Sequence, residues 1–121
     1  MTRIMSIHLF DKDQNAVAYP AGQAVFRDGE HGDHMYAVLS GSVEIMIRGK
    51  CVETVETGGV FGEMALVDDR VRAASAVVKT DATLVEIDKK RFLFLVQQNP
   101  FFALQIMTIM SQRLRRMGQE L

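Results

Sequence analysis

Residues 61–66 and the arginine at position 72 bring together the groups that can hold a phosphorylated sugar. Gly62 allows close approach to the backbone, and the amides at the start of a short apolar helical turn favour an anion. The guanidinium of Arg72 can pair with phosphate oxygens in a forked geometry. Glu63 is suited to accept hydrogen bonds from sugar hydroxyls and poorly suited to bind phosphate. The segment therefore predicts a cradle for a phosphate and a ribose.

A structural alternative uses the same two charged residues. In it, Glu63 and Arg72 form an ion pair that closes the loop between them and binds no ligand. The order of the motif favours the cradle, because a glycine pair at 58–59 precedes it and the small residues Ala73 and Ala74 leave room beside the arginine. The cradle is a hypothesis that depends on a short motif.

The segment lies in a stretch of the chain that has the pattern of β-strands. Apolar and polar residues alternate over 43–48, as in a half-buried strand, and glycine, proline and aspartate separate the apolar runs. Short strands broken by turns at near-regular intervals predict a β-sandwich or a jelly-roll barrel. The predicted strands are 16–19, 24–27, 35–39, 43–47, 51–55, 76–79 and 82–87, with turns at 40–41 and 80–81 among others.

From Asp88 onward the apolar residues recur at helical spacing. Asp88 is a suitable N-cap for a helix that contains Phe92. Asn99 can cap a second helix that has Pro100 at its first position, and Gly118 can end it. Two helices are therefore predicted after the strands.

Length and composition predict one domain, and the pattern of strands and helices predicts that it is mainly β with C-terminal helices, an α+β fold. The chain has 121 residues, of which 48% are hydrophobic, enough for one core but not for two. We expect a single domain over 1–121, with a jelly-roll barrel at about 14–87 flanked by helices at about 88–118.

Charge and cysteine content exclude several classes of protein. The net charge of −1 offers no basic face for nucleic acid. Neither a signal peptide nor a run of about 20 apolar residues is present, so no membrane association is expected. Cys51 is the single cysteine, which rules out an internal disulfide and fits a cytoplasmic location. We expect Cys51 to be a small buried residue of a strand.

The last predicted helix carries two apolar lines and a basic cluster. Because both lines must be buried, we expect one to pack on the barrel and the other to form a homodimer; the alternative is one wide stripe packed within the chain. Arg113, Arg115 and Arg116 are expected to form a solvated face. The first line contains Ala103, Met107, Met110, Leu114, Met117 and Leu121, and the second contains Phe102, Ile106 and Ile109.

Residues 59–66 together with 72–74 closely resemble the phosphate-binding cassette of the cyclic nucleotide-binding domain family. That family includes bacterial cAMP-dependent transcription regulators, kinase regulatory subunits and gated channels. Residues 36–43 are similar to its third-to-fourth strand signature, and 88–92 and 99–100 are similar to its two C-terminal helices. The resemblance extends over nearly the whole chain.

The resemblance implies a role for each residue of the cassette. Glu63 accepts the ribose 2′-hydroxyl, and Arg72 pairs with the exocyclic phosphate oxygens. Val60 and the last helix flank the base. The implied ligand is a cyclic purine mononucleotide, cAMP or cGMP. The backbone amides implied to cradle the phosphate are those of Gly62, Met64, Ala65 and Ala73.

Three departures from the family pattern affect these expectations. Val71 stands where a proline commonly precedes the arginine, which lowers the preorganisation of the loop but removes no ligand contact. Ala73 stands where members that respond to cGMP often have threonine, which weakly favours cAMP. Met117 and Gly118 stand where some cAMP-binding members offer polar side chains to adenine.

The resemblance implies a sensor that is not an enzyme and needs neither a metal nor a cofactor. The bacterial regulators continue into a helix-turn-helix domain, whereas this chain ends at Leu121, so we expect a stand-alone sensor or an excised domain without DNA binding. The downstream protein partner is not indicated by any motif.

Two alternatives remain open at this point. A metal-dependent cupin enzyme shares the jelly-roll shape, but His31 and His34 are separated by two residues and would point to opposite faces of a strand. A degenerate module that only dimerises is the other, although the presence of both Glu63 and Arg72 argues against it.

Overall fold

The computed structural model of the chain describes residues 15–68 and 71–119. Six strands and three helices lie within these ranges. The strands are β1 (Ala16–Tyr19), β2 (Ala24–Phe26), β3 (His34–Ile47), β4 (Lys50–Val55), β5 (Val60–Phe61) and β6 (Ser75–Asp88). The helices are α1 (Met64–Asp68), α2 (Lys89–Gln98) and α3 (Pro100–Gln119).

The strands form an antiparallel sheet in the order β1-β6-β3-β4, with β2 added to β6 and β5 added to β3. The long strands β3 and β6 pair from His34 and Asp88 at one end to Met46 and Ser75 at the other, and they form the centre of the roll. The predicted jelly roll followed by helices is confirmed. It places the candidate segment, β5 and α1, against β3.

The turns predicted at 40–41 and 80–81 are wrong, because β3 and β6 continue through them. Gly41 adopts a positive φ of 78°, and the β3–β6 register shifts between Val38 and Val43. Turn-forming residues here bend a paired strand instead of ending it, since the ladder resumes on both sides of the irregularity.

Apolar side chains form two buried clusters, and the candidate segment contributes to both. Phe61 belongs to the cluster inside the roll, with Tyr36 and Leu84. Leu66 belongs to the cluster between the sheet and the helices. The other buried members of this second cluster are Met35, Ala37, Val60, Val85, Ile87, Phe102, Ile106 and Ile109.

The helices begin as the sequence predicts. Asp88 caps α2 by accepting a hydrogen bond of 2.8 Å from the amide of Arg91, and Pro100 is the first residue of α3. The helix α3 extends to Gln119, one residue beyond the predicted end. Among the described residues no single helix is long and apolar enough to cross a membrane, and α2 and α3 pass that test only as a pair bent by 120°.

The two apolar lines of α3 have different surroundings. Phe102, Ile106 and Ile109 are buried, which confirms that one line packs on the chain's own barrel. Met107 and Leu114, in the other line, are 58% and 57% exposed. The side chains of Met117 and Leu121 lie outside the described part of the chain.

Candidate functional site

The candidate site begins where β5 ends. Gly62 has a positive φ of 79°, a conformation that favours glycine, and it turns the chain into α1. The amide of Leu66 donates to the carbonyl of Glu63 at 3.1 Å, which closes the first turn. The amides of Met64 and Ala65 lie in that first turn, where a helix offers no acceptor of its own. The backbone therefore presents donors beside Gly62.

Arg72 is held against the same glycine. Its Nη1 donates to the carbonyl of Gly62 at 2.9 Å, and its Nη2 donates to the carbonyl of His34 at 2.5 Å. The guanidinium lies over the ring of Phe26, 4.0 Å from the ring centre. Arg72 is 6% exposed, and this burial lowers its pKa. Two carbonyls thus use two of the five guanidinium N–H groups.

The Nε of Arg72 is buried and has no hydrogen-bond partner among the described residues. A buried N–H without an acceptor is unfavourable, and near a cation the favourable acceptor is an anion. The residues around Arg72 therefore fit a phosphate better than they fit a site closed on itself.

Glu63 has a partner that the sequence did not indicate. Glu63 is 2% exposed, and its Oε1 accepts from Nη1 of Arg113 at 2.6 Å. No ion pair joins Glu63 to Arg72 within the described ranges, and Arg72 donates to carbonyls instead. The alternative in which these two residues pair with each other is therefore wrong.

Arg113 was expected on a solvated face, and that expectation is also wrong. Its Nε and Nη2 donate to the carboxylate of Glu53 at 3.0 Å and 2.9 Å, and Nη2 also donates to the carbonyl of Val60. Burial acts to lower the pKa of Arg113, but Glu63 and Glu53 outweigh it and raise that pKa above the ordinary value. One guanidinium thus joins α3 to β4, β5 and the residue before α1.

The spacing of apolar residues along α3 could have indicated that Arg113 is buried. Position 113 follows Phe102, Ile106 and Ile109 at intervals of four, three and four, so it lies on the buried face. Arg115 is exposed, as predicted, whereas Arg116 is half-buried and lies 3.9 Å from Glu53.

Four of the seven predicted site residues form two groups in the structure. Gly62 and Arg72 are in direct contact, and Val60 and Glu63 are joined through Arg113. Of the remaining three, Ala65 is buried, and Met64 and Ala73 are exposed. Phe26, Glu53 and Arg113 contact these groups and were not predicted.

The residues of the metal-site alternative do not converge. His34 starts β3, and its Nδ1 lies 2.6 Å from a carboxylate oxygen of Asp33. No group of three histidine, cysteine or carboxylate side chains suited to a metal is found over residues 15–68 and 71–119. Cys51 is exposed rather than buried, because it lies near the hairpin end of β4.

Comparison with known proteins adds independent support for the fold and the family. The family model described as the cyclic nucleotide-binding domain matches residues 16–99. The cyclic AMP receptor protein of Thermus thermophilus is 32% identical over 108 residues, which are 85% of this chain and 50% of that protein. The crystal structure of Thermus thermophilus catabolite activator protein has a TM-score of 0.79 and 30% identity, covering 87% of this chain and 52% of that one.

A eukaryotic relative matches a shorter stretch. The cAMP-dependent protein kinase regulatory subunit of Aspergillus niger is 38% identical over 80 residues, 64% of this chain and 20% of that protein. The chain spans about half the length of the Thermus relative and a fifth of the kinase subunit. From the matched residues and the fold, the chain belongs to the cyclic nucleotide-binding domain family.

Proposed function

We propose that the chain binds a cyclic purine mononucleotide, preferentially cAMP, and acts as a sensor or regulatory domain and not as an enzyme. The observation that carries this proposal is the buried guanidinium of Arg72 beside Gly62, with an Nε that lacks an acceptor among the described residues. The names of the two relatives, a cyclic AMP receptor and a cAMP-dependent kinase subunit, favour the same ligand.

The phosphate would bind between Arg72 and the start of α1. A Cβ at position 62 would lie 2.8 Å from Nη1 of Arg72, so glycine keeps the approach to the guanidinium open. The amides of Gly62, Met64, Ala65 and Ala73 are the proposed backbone donors. Charge pairing with Arg72 would add charge-assisted hydrogen bonds to those of the backbone amides.

The ribose would bind at Glu63. A carboxylate has about four acceptor sites on its two oxygens, and the structure directs one oxygen to Arg113. The 2′-hydroxyl can then donate to the same carboxylate without displacing the ion pair. Val60, whose carbonyl also contacts Arg113, would flank the base.

Ligand capture would be coupled to α3 through Arg113. This side chain is the link between the proposed ribose acceptor and the last helix. Phe61 and Leu66, on either side of Glu63, pack in the two different apolar clusters, so a shift of this segment alters both. Met64, in the same segment, is 38% exposed and belongs to neither cluster. The ligand would shift the population between two positions of α3.

A second copy of the chain is the proposed partner of Met107 and Leu114, the exposed members of the first apolar line of α3. Ala103 and Met110 of that line are half-buried, and Met110 packs against the chain's own core. Met107 and Leu114 are more than half exposed, and together with Met110, Ser111 and Arg115 they line a shallow groove along α3. A long helix face with apolar residues at a/d spacing is suited to pack against its own copy.

The proposal is tested by calorimetric titration of nucleotide-stripped protein with cAMP and then with cGMP, for the wild type and for Arg72→Ala. We expect saturable binding with a dissociation constant in roughly the micromolar range or below, a preference for cAMP, and a loss of about tenfold or more in the variant. Wild-type affinity in the variant would reject the cradle. No heat with either nucleotide would favour the dimerisation module.

Coupling to α3 is tested by amide hydrogen exchange over residues 100–119 with and without saturating nucleotide. We expect protection of α3 to change on binding, because the carboxylate of Glu63 accepts from Arg113 of α3 and is also the proposed acceptor of the ribose hydroxyl. Exchange that is identical in both states, in protein shown to be saturated, would reject the coupling while leaving the binding proposal intact.

A further inference from the structure

The loop between β2 and β3 lies over the side chain of Arg72. The amide of Arg72 donates to the carbonyl of Glu30 at 2.7 Å, and the amide of Gly29 donates to the carbonyl of Arg72 at 2.8 Å. His31 forms an isolated antiparallel bridge with Val71. These contacts fix the loop to the backbone of the arginine from both directions.

Gly32, in the same loop, is buried and does not have a positive φ. A left-handed φ therefore does not explain why glycine is present. Space does explain it. A Cβ at position 32 would lie 2.5 Å from Cζ and 2.9 Å from Nη2 of Arg72, and closer still to Nε. Real Cβ atoms essentially never approach other heavy atoms so closely.

The guanidinium thus has fixed neighbours on several sides. The ring of Phe26 lies 4.0 Å away, the carbonyls of Gly62 and His34 each accept one hydrogen bond, and Gly32 lies next to the Nε end. Movement of the guanidinium would break a hydrogen bond or lose the stacking on Phe26. A side chain at position 32 would force such a movement or push the loop away.

We propose that Gly32 is a positioning residue for the proposed nucleotide site: its lack of a side chain lets the loop over 28–33 hold the guanidinium of Arg72 in the orientation that meets the phosphate. This inference rests on the proposed function, because it concerns the arginine of the same site. It adds a residue 40 positions before Arg72 that would not contact the ligand and would affect its binding only through that arginine.

A double-mutant cycle tests this role. Gly32→Ala, Arg72→Ala and the double variant are compared with wild type by titration with cAMP and cGMP and by urea unfolding. We expect Gly32→Ala alone to weaken binding by about tenfold or more, because small misplacements of a binding group are costly. In the Arg72→Ala background the same change should alter neither affinity nor stability, since the guanidinium is no longer there to be displaced.

Gly59→Ala is the matched control. Gly59 also lacks a positive φ, and a Cβ there would lie 2.6 Å from Cγ1 of Val55, away from the guanidinium. The loss of stability caused by Gly59→Ala should be the same in the wild-type and the Arg72→Ala backgrounds. If Gly32→Ala does not fold but the double variant does, the contact with the guanidinium is supported. If both Gly32→Ala and the double variant fail to fold, the positioning role is rejected. It is also rejected if the losses of affinity and stability in the double variant equal the sum of those in the two single variants.

The cycle also separates this inference from the proposed function. A wild-type protein that binds neither nucleotide rejects the function and, with it, the role of Gly32 in binding. A wild-type protein that binds normally, together with a Gly32→Ala variant of equal affinity, rejects only the positioning role.

Discussion

Nη1 of Arg113 lies 2.6 Å from Oε1 of Glu63, across 50 residues of sequence. The pair joins the carboxylate that is proposed to bind the ribose to α3, the helix that is proposed to move when the ligand binds. Glu53 shares the same guanidinium, so two acidic side chains from the roll hold one basic side chain from α3. Removal of one member would leave buried charge without a partner, which costs more than the pair contributes when intact.

Replacing Arg113 with alanine should therefore destabilise the fold by about 3 kcal/mol or more, because Glu53 and Glu63 would lose their shared cation. The free energy of unfolding in urea measures this change. Lys90→Ala is the control, since Lys90 is exposed on α2, does not line the groove along α3, and should change stability by no more than about 0.5 kcal/mol. Equal effects of the two variants would contradict the buried role of Arg113.

Glu53→Gln and Glu63→Gln should separate the attachment of α3 from recognition of the ribose. Both changes remove one negative charge next to Arg113, but only Glu63 is proposed to accept the 2′-hydroxyl. We expect Glu63→Gln to reduce discrimination between cAMP and its 2′-deoxy analogue, and Glu53→Gln to preserve it.

The ratio of the two dissociation constants is the measurement for this pair of variants. Unfolding in urea, measured in parallel, shows whether each variant keeps its fold. If Glu63→Gln retained the full discrimination of the wild type, the ribose role of Glu63 would have to be abandoned, whatever its effect on stability.

Gly41→Ala should be markedly more destabilising than Gly49→Ala. Both glycines have a positive φ, 78° and 77°, so both substitutions carry a backbone cost of about 1–2 kcal/mol. Only at position 41 would the new Cβ be crowded, 2.7 Å from Cα of Ala82, which should add about 1–3 kcal/mol. Urea unfolding of the two variants measures the difference. Similar losses of stability in the two variants would show that β3 and β6 are not tightly packed at Gly41.

Charge on the exposed line of α3 should disrupt the proposed dimer. Met107→Glu combined with Leu114→Glu places two carboxylates on the stripe, and sedimentation velocity should show a shift from dimer to monomer. Leu93→Glu is the control, because Leu93 on α2 is 57% exposed but lies off the stripe. A wild-type monomer at all accessible concentrations, or a dimer that survives the double change, would reject this interface.

Local features of the chain could be predicted from the sequence. The N-cap at Asp88, the start of α3 at Pro100 and the short helical turn after Gly62 each depend on the backbone preferences of a few consecutive residues. Helical periodicity predicts the line of Phe102, Ile106 and Ile109, but only the structure shows that this line, and not the other, is the one buried on the barrel. The jelly roll follows from the number and spacing of the strands, which is also a pattern along the chain.

Features that depend on distant residues were decided by the tertiary structure. Serine and glycine at 40–41 predict a turn, but the neighbouring strand β6 holds the ladder together across them, so β3 bends and continues. Arg113 has the spacing of a buried residue and the chemistry of an exposed one. Its burial depends on carboxylates 60 and 50 positions earlier, which the fold brings to the same place.

The sequence by itself determined that Gly62, Glu63 and Arg72 form one motif, because their spacing along the chain encodes a glycine turn, a short helix and a following strand. Only the tertiary structure decided that Glu63 faces Arg113 while Arg72 faces Phe26 and the loop of Gly32. The physical reason is that a charged side chain is buried only where partners meet it, and those partners come from elements far apart in the chain.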